Sequence, residues 1–193
     1  MGMVGNASEP RPWFALRVRP RWEKIAAEIL RNKGYDEFVP LHKSRRRWSD
    51  RYKELELPLF PGYLFCRLSP DAHAPVLTTP GVLYFVGIGR MPLPIEDREI
   101  EAVRAILASG LAAEPWPFLR TGSTVRIDDG PLQGLEGILL QLKPRHRLVV
   151  SVTLLQRSVA VEIDRDWVTP LGPTRVPPVP SAMIDPRYRL RTA

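Results

Sequence analysis

Few side chains in this 193-residue sequence have the types and spacing that catalysis or metal binding needs. His42, His73 and His146 are far apart in the chain, and the only cysteine, Cys66, stands in an apolar run. None of these residues shows the short spacing that is typical of zinc ligands. The sequence also lacks a glycine-rich phosphate loop and a serine in a nucleophile-elbow pattern. We therefore expect no catalytic residue, no metal and no cofactor, and a protein that is not an enzyme.

Asp128 and Asp129 form an acidic pair that could hold a metal ion. They stand directly before Gly130 and Pro131. Aspartate is frequent in turns because its carboxylate accepts a hydrogen bond from nearby backbone. We therefore interpret the pair as turn chemistry, and a metal-dependent enzyme is the least favoured alternative.

Basic charge is concentrated in one short segment. The chain has a net charge of +7, and residues 43–53 contain six basic side chains against the single acidic Asp50. Such a segment is typical of a projecting hairpin or loop that reaches a polyanion. A lone cysteine excludes an internal disulfide, and no stretch predicts a membrane span or a signal peptide. We expect a cytoplasmic protein with no membrane partner.

The N-terminal half predicts a sheet flanked by helices. Its first apolar run alternates as a strand, with Phe14, Leu16 and Val18 on one side. Residues 22–34 and 95–110 have apolar side chains at helical spacing, and each segment ends at a glycine. Together with the strands between them, these helices predict an α+β unit.

The C-terminal half predicts a small all-β unit. Residues 111–119 contain Pro115 and Pro117 without any period, which indicates a stiff linker. Residues 120–171 contain short strands with close turns and no helix, which is typical of a small closed barrel. Residues 172–193 are rich in proline and predict a mobile tail.

Two motifs in this chain are typical of one protein family. The stretch GSTVRIDDGPLQGLEG, residues 122–137, resembles a KOW motif, in which a Gly-Pro turn joins two strands of a small barrel. The stretch PLFPGYLFCRL, residues 58–68, is similar to a segment in the N-terminal domain of the NusG family. The motifs stand in the family's order, and the resemblance covers roughly residues 12–171. The basic segment and PLFPGYLF are more similar to specialised paralogues, such as RfaH and the UpxY-type proteins, than to the housekeeping factor.

The resemblance implies a domain order. Residues 12–110 would form an NGN domain, an antiparallel sheet flanked by helices, and residues 120–171 a KOW barrel. The expected organisation is completed by a flexible N-terminus over residues 1–11, the linker over 111–119 and the tail over 172–193.

The resemblance also implies a transcription elongation factor that binds RNA polymerase. In the family, the NGN domain lies on the clamp helices of the β′ subunit and bridges toward the β subunit. Phe60, Pro61 and Tyr63 would belong to the binding patch, with Phe60 as the anchor, because an aromatic residue between two prolines fits a regular ladder poorly. The alternative is that these are core residues of a bent strand. Near His73, the chain departs from the contact that some relatives make with the β subunit, and this contact is left open.

Basic residues imply contacts with nucleic acid. Arg19, Arg21 and Lys24 match the junction at which specialised relatives touch the non-template DNA strand, and a solvated helix start is an equal alternative. A second group in the basic segment is expected to reach nucleic acid as well: Arg45, Arg46 and Arg47.

The C-terminal unit would be a docking module in this family. Leu132 and Leu135 match the turn that binds a small-subunit ribosomal protein or the termination factor Rho. Leucine offers less contact area than an aromatic residue, so we expect weaker or altered docking, and covering the barrel end is an equally good interpretation. We expect a monomer. Fold switching, and antitermination as opposed to pausing, are left open.

A KOW-containing ribosomal or RNA-binding protein is the alternative function. It would account for the barrel and the basic tail. It would leave the stretch PLFPGYLFC and the two predicted helices without a role.

Overall fold

A computed structural model describes residues 11–47, 52–69, 72–89, 91–118, 121–142 and 145–175. The chain forms an N-terminal part of sheets and helices followed by a C-terminal part of strands, which confirms the predicted α+β fold class. The N-terminal part contains, in order, β1 (Trp13–Val18), α1 (Glu23–Asn32), β2 (Asp36–Phe38), β3 (Leu41–Arg47), β4 (Tyr52–Pro58), β5 (Tyr63–Arg67), α2 (His73–Leu77), β6 (Val82–Phe85), β7 (Gly87–Ile88), β8 (Met91–Pro92), β9 (Pro94–Ile95) and α3 (Asp97–Ala108). The C-terminal part contains β10 (Ala113–Pro117), β11 (Thr121–Ile127), β12 (Glu136–Leu142), β13 (Arg145–Val152), β14 (Arg157–Ile163) and β15 (Val168–Arg175).

Strand β1 is the centre of the main N-terminal sheet. The strand order is β2-β5-β1-β6, all neighbours are antiparallel, and β9 pairs with the start of β1. Phe14, Leu16 and Val18 are buried together on the face that packs against α1. Trp13 and Ala15 are buried on the other face, in the cluster that contains residues of α3. The predicted alternation of this strand is confirmed.

Helix α1 forms where the sequence predicts it, but one of its apolar residues is exposed and one of its acidic residues is buried. Ala26 and Leu30 are buried against the main sheet, and Gly34 follows the end of the helix. Ile25, one of the apolar side chains at helical spacing within residues 22–34, is 48% exposed. Glu23 is buried instead, because its carboxylate has a backbone partner in the neighbouring turn.

Helix α3 is confirmed and helix α2 was not predicted. Ile100, Val103 and Ile106 are the buried face of α3, as the helical spacing indicates. Helix α2 has five residues and includes Pro75, so it is too short to show a helical period in the sequence. In the part of the chain that the structure describes, no helix is long and apolar enough to cross a membrane.

The basic segment forms the predicted hairpin. Strands β3 and β4 make a separate two-stranded sheet that runs from the pair Leu41 and Pro58 to the pair Arg47 and Tyr52. Residues 48–51, which follow β3 and precede β4 in the sequence, lie outside the described residues.

The C-terminal part is one antiparallel sheet with the order β10-β14-β13-β12-β11-β15. Its interior is aliphatic, with Val125, Leu148 and Val159 completely buried. The described residues of this part include two short 3-10 turns, Thr153–Leu155 and Arg165–Trp167, and no α-helix.

The segment expected to be a linker contains a strand. Residues 113–117 form β10, which pairs with β14 from Ala113 and Val161 to Pro117 and Arg157. The prolines that indicated a linker fit here because β10 is an edge strand, where one side of the backbone needs no ladder partner. Strand β15, the other edge, continues to Arg175 into the segment expected to be a tail. The exact domain boundaries stay a prediction.

Candidate partner-binding surface

The segment between β4 and β5 is a tight turn that α1 holds in place. This segment, residues 59–62, is called the Phe60 turn below. The N–H of Tyr63 donates to the Phe60 carbonyl at 3.0 Å, which closes the turn. The N–H of Gly62 donates to Oε1 of Glu23 at 2.7 Å. The sequence does not reveal this role of Glu23, because an acid in the first turn of a helix is usually explained by the helix dipole alone.

Phe60 is completely buried in the structure. Its ring meets the ring of Phe65 edge-on, with 5.6 Å between the centroids. Both rings belong to a cluster that also includes residues of the C-terminal part, such as Val150 and Leu155. We call it the shared cluster. In this arrangement the Phe60 side chain is a core residue, as the alternative interpretation held, and its role in binding stays a prediction.

Pro61 and Tyr63 lie next to Phe60 but differ in exposure. Pro61 is exposed and Tyr63 is partly buried. The guanidinium carbon of Arg17 lies 4.6 Å from the centroid of the Tyr63 ring, and that of Arg157 lies 5.8 Å from it. Since Arg157 is in β14, the C-terminal part contacts the same sheet face as the predicted binding patch.

Glu99 joins helix α3 to the C-terminal part. Both oxygens of its carboxylate accept the Thr153 N–H, each at 3.2 Å. Burial raises the pKa of Glu99, although the hydrogen bonds from Thr153 partly offset this effect. The carboxylate therefore makes a polar contact at a site where its charge is poorly solvated.

The predicted basic junction between β1 and α1 is exposed. Arg19, Arg21 and Lys24 all lie at the surface, and Arg21 has a φ of 69°, which is unusual for a residue other than glycine. Lys24 donates to Glu56 on the hairpin at 2.7 Å, and this bond lowers the pKa of Glu56. The structure thus joins the junction to the base of the basic hairpin.

For the hairpin arginines, the structure describes which residues of β4 they pair with. Arg45 lies opposite Glu54, Arg46 opposite Lys53, and Arg47 opposite Tyr52. Their side chains are outside the described residues.

The two leucines of the predicted docking turn are largely removed from solvent. Leu132 is buried, and Leu135 is partly buried against the shared cluster. Both leucines therefore cover the end of the sheet in this arrangement, and their binding role stays a prediction.

The acidic pair takes part in turn contacts. Asp129 accepts the Gly130 N–H at 2.7 Å. Asp128 accepts from Arg126 at 2.9 Å and from the Thr169 hydroxyl. Within the described ranges, no group of three or more His, Cys, Asp or Glu could hold a metal ion.

Cys66, His42 and His73 lie in different environments. Burial raises the pKa of Cys66 to about 12, so the thiol is protonated and unreactive at neutral pH. His73 packs edge-on against Phe14 and Phe85. Burial lowers the pKa of His42, and the nearby Glu114 carboxylate partly offsets this shift.

These features define a class: a two-part α+β protein in which the N-terminal sheet has an apolar face, a proline-flanked turn and an adjoining basic junction. The family described as "Transcription termination factor nusG" matches residues 11–104. The transcription termination/antitermination protein NusG of Buchnera aphidicola subsp. Baizongia pistaciae is 33% identical over 176 residues, covering 81% of this chain and 94% of that protein. The protein of the same name from Borreliella burgdorferi is 28% identical and covers 80% of this chain and 95% of that protein. The chain belongs to the NusG family.

A solved structure agrees with this assignment at the level of the fold. The structure, described as a domain interaction in Thermotoga maritima NusG, aligns over 83% of this chain and 97% of that one. The TM-score is 0.53 at 21% identity, which shows a shared fold. The assignment to a specialised paralogue such as RfaH stays a prediction.

Proposed function

We propose that this chain is a NusG-type transcription elongation factor that binds RNA polymerase at the clamp helices of the β′ subunit. The binding surface is the apolar face of the main sheet around the Phe60 turn. The observation that carries the proposal is the Phe60 turn itself, which Glu23 fixes beside Tyr63 and the exposed Pro61. Membership of the NusG family supports it, because relatives carry the name transcription termination/antitermination protein.

The arrangement of the two parts sets a condition for this binding. Phe60 is buried in the shared cluster, and Arg157 lies over Tyr63. For both aromatic rings to reach polymerase, the C-terminal part has to move away from the sheet face. We propose that polymerase competes with the C-terminal part for this face, and that bound factor favours elongation through antitermination or altered pausing.

The basic junction is the proposed nucleic-acid contact. Arg19 and Arg21 are exposed, and Lys24 links them to the hairpin that carries Arg45 and its neighbours. A non-glycine residue with positive φ costs roughly 1–2 kcal/mol, and such strain is often kept where a side chain is needed. The junction and the hairpin would together lie along the non-template DNA strand.

The C-terminal part is the proposed docking module for a ribosomal protein or Rho. Leu135 is the more accessible of the two predicted turn residues, since Leu132 is buried. Docking through this turn would need the C-terminal part to be free of the N-terminal sheet. The ribosomal-protein alternative is less favoured, since the family match falls on residues 11–104, which that alternative leaves without a role.

The test is a titration of the full chain with core RNA polymerase, comparing wild type with Tyr63→Ala. Phe60→Ala is a poor choice, because truncating a buried phenylalanine costs about 3–5 kcal/mol and loosens the fold. We expect wild type to bind and Tyr63→Ala to bind at least about tenfold more weakly, since interface aromatics are frequent hot spots.

Tyr35→Ala is the matched control. Tyr35 is also partly buried, but it packs in the cluster beneath α1, on the opposite face of the main sheet. It should keep wild-type affinity. Failure of the folded wild type to bind polymerase would overturn the proposed function, whereas equal losses in both variants would show that the effect is not specific to this face.

A further inference from the structure

Strand β6, at one end of the strand order of the main sheet, exposes two large apolar residues. Leu83 is 47% exposed and Tyr84 is 45% exposed. Their neighbours Val82 and Phe85 pack in the cluster beneath α1. Adjacent exposed apolar side chains often mark an interaction surface.

A β-bulge in β6 accounts for this exposure. Arg17 of β1 pairs with Tyr84, and Val18 pairs with Val82, so Leu83 is an extra residue in the ladder. A bulge of this kind bends the strand and redirects side chains.

The bulge places Leu83 and Tyr84 on the same face. In a regular strand, side chains three residues apart point to opposite faces. Val82 and Phe85 are three apart, yet both pack in the cluster beneath α1. Leu83 and Tyr84 therefore lie on the other face, which carries Arg17.

Tyr84 continues the row of side chains that begins at Tyr63. Both tyrosines pair with Arg17, from β5 and from β6, so their backbones are about 10 Å apart. The Arg17 guanidinium lies against the Tyr63 ring at 4.6 Å, and its buried Nη1 atom has no hydrogen-bond partner among the described residues. The row is thus aromatic at both ends, with an unsatisfied cationic donor between them.

We propose that Leu83 and Tyr84 extend the polymerase-binding surface and make the first contact with it while the C-terminal part still lies over Tyr63. The occupant is an apolar segment of polymerase that also carries a carboxylate, which reaches Arg17 once the C-terminal part has moved away. Continuity with Tyr63 and the unpaired Arg17 nitrogen support this choice. The inference rests on the proposed function and adds two residues that lie outside the stretch PLFPGYLFCRL.

The test is binding of the full chain to core RNA polymerase, with association and dissociation rates measured separately. The double variant Leu83→Ser/Tyr84→Ser should lower the association rate and weaken binding at least about tenfold. Leu171→Ser is the matched control, because Leu171 is also 47% exposed but lies on the C-terminal sheet. It should bind like wild type.

Each outcome decides a different claim. Wild-type binding with an unchanged double variant would overturn the role of the bulge and leave the proposed function standing. A folded wild type that fails to bind polymerase would overturn both. Weaker binding that comes only from faster dissociation, with an unchanged association rate, would contradict the first-contact role.

Discussion

Two carboxylates, the buried Glu23 and the partly buried Glu99, make contacts between elements that their sequence positions do not reveal. Each stands in the first turn of a helix, where an acid is ordinarily explained by the helix dipole. In the structure Glu23 fixes the Phe60 turn, and Glu99 accepts the Thr153 N–H across the junction of the two parts. Single side chains thus help to determine how the proposed binding surface is shaped and covered.

Glu99→Gln should stabilise the protein at neutral pH. Burial raises the pKa of Glu99, so the folded state holds this proton more tightly than the unfolded state does. Stability therefore falls as the pH rises through the window between the ordinary pKa and the raised one. Glutamine keeps an acceptor for the Thr153 N–H without the charge. Thermal unfolding should show a melting temperature about 2–4 °C above wild type at about pH 7.5, and a smaller difference at about pH 4.

Glu101→Gln is the control for this prediction. Glu101 is on the same helix but exposed, so its substitution should leave the melting temperature nearly unchanged at both pH values. An equal shift of Glu99→Gln at both pH values would show that charge burial is not the cause.

At the scale of elements, the turn between β11 and β12 depends on glycine for two separable reasons. Gly130 has a φ of +79° and Gly134 a φ of +85°, a region that other residues rarely adopt. A Cβ at Gly130 would also stand 3.0 Å from the ring of Trp167, whereas at Gly134 it would meet open space. A substitution at Gly134 therefore tests backbone strain alone, whereas a substitution at Gly130 tests backbone strain together with close packing against Trp167.

Gly130→Ala should destabilise the protein more than Gly134→Ala. Gly134→Ala should cost about 1–2 kcal/mol from backbone strain alone. Gly130→Ala should cost more, because the Trp167 ring must also shift. Urea unfolding of both variants measures the difference, and equal free energies of unfolding would contradict the packing argument.

Helices and strands whose apolar residues recur at a regular spacing could be predicted from the sequence. Elements whose identity depends on the strands with which they pair could not. The alternation of β1 and the apolar spacing of α3 predicted both elements and their buried faces. Strand β10 was missed because its prolines are typical of a linker, and only pairing with β14 shows that it is an edge strand. The β6 bulge was missed because four successive apolar residues show no alternation to interrupt.

The candidate site was predictable in location but not in exposure. The motif located the Phe60 turn, yet whether Phe60 is a surface anchor or a core residue depends on what the C-terminal part covers. Such packing between parts distant in sequence leaves no local pattern.

At the scale of the whole molecule, the two parts share one buried cluster. It includes Phe60 and Phe65 from the N-terminal sheet and Val150 and Leu155 from the C-terminal part. Apolar packing and the Glu99 contact therefore hold the C-terminal part against the proposed polymerase-binding face. Binding of polymerase to that face would then be coupled to release of the C-terminal part, because polymerase would bind only the released conformation.

Amide hydrogen exchange of the full chain, alone and with core RNA polymerase, tests this account most directly. We expect polymerase to slow exchange in residues 59–67 and 82–85, which form the proposed binding face. We also expect faster exchange of the Thr153 amide, because its hydrogen bond to Glu99 would be lost. Bound polymerase that leaves exchange at the sheet face unchanged, or protects only the C-terminal part, would contradict the account.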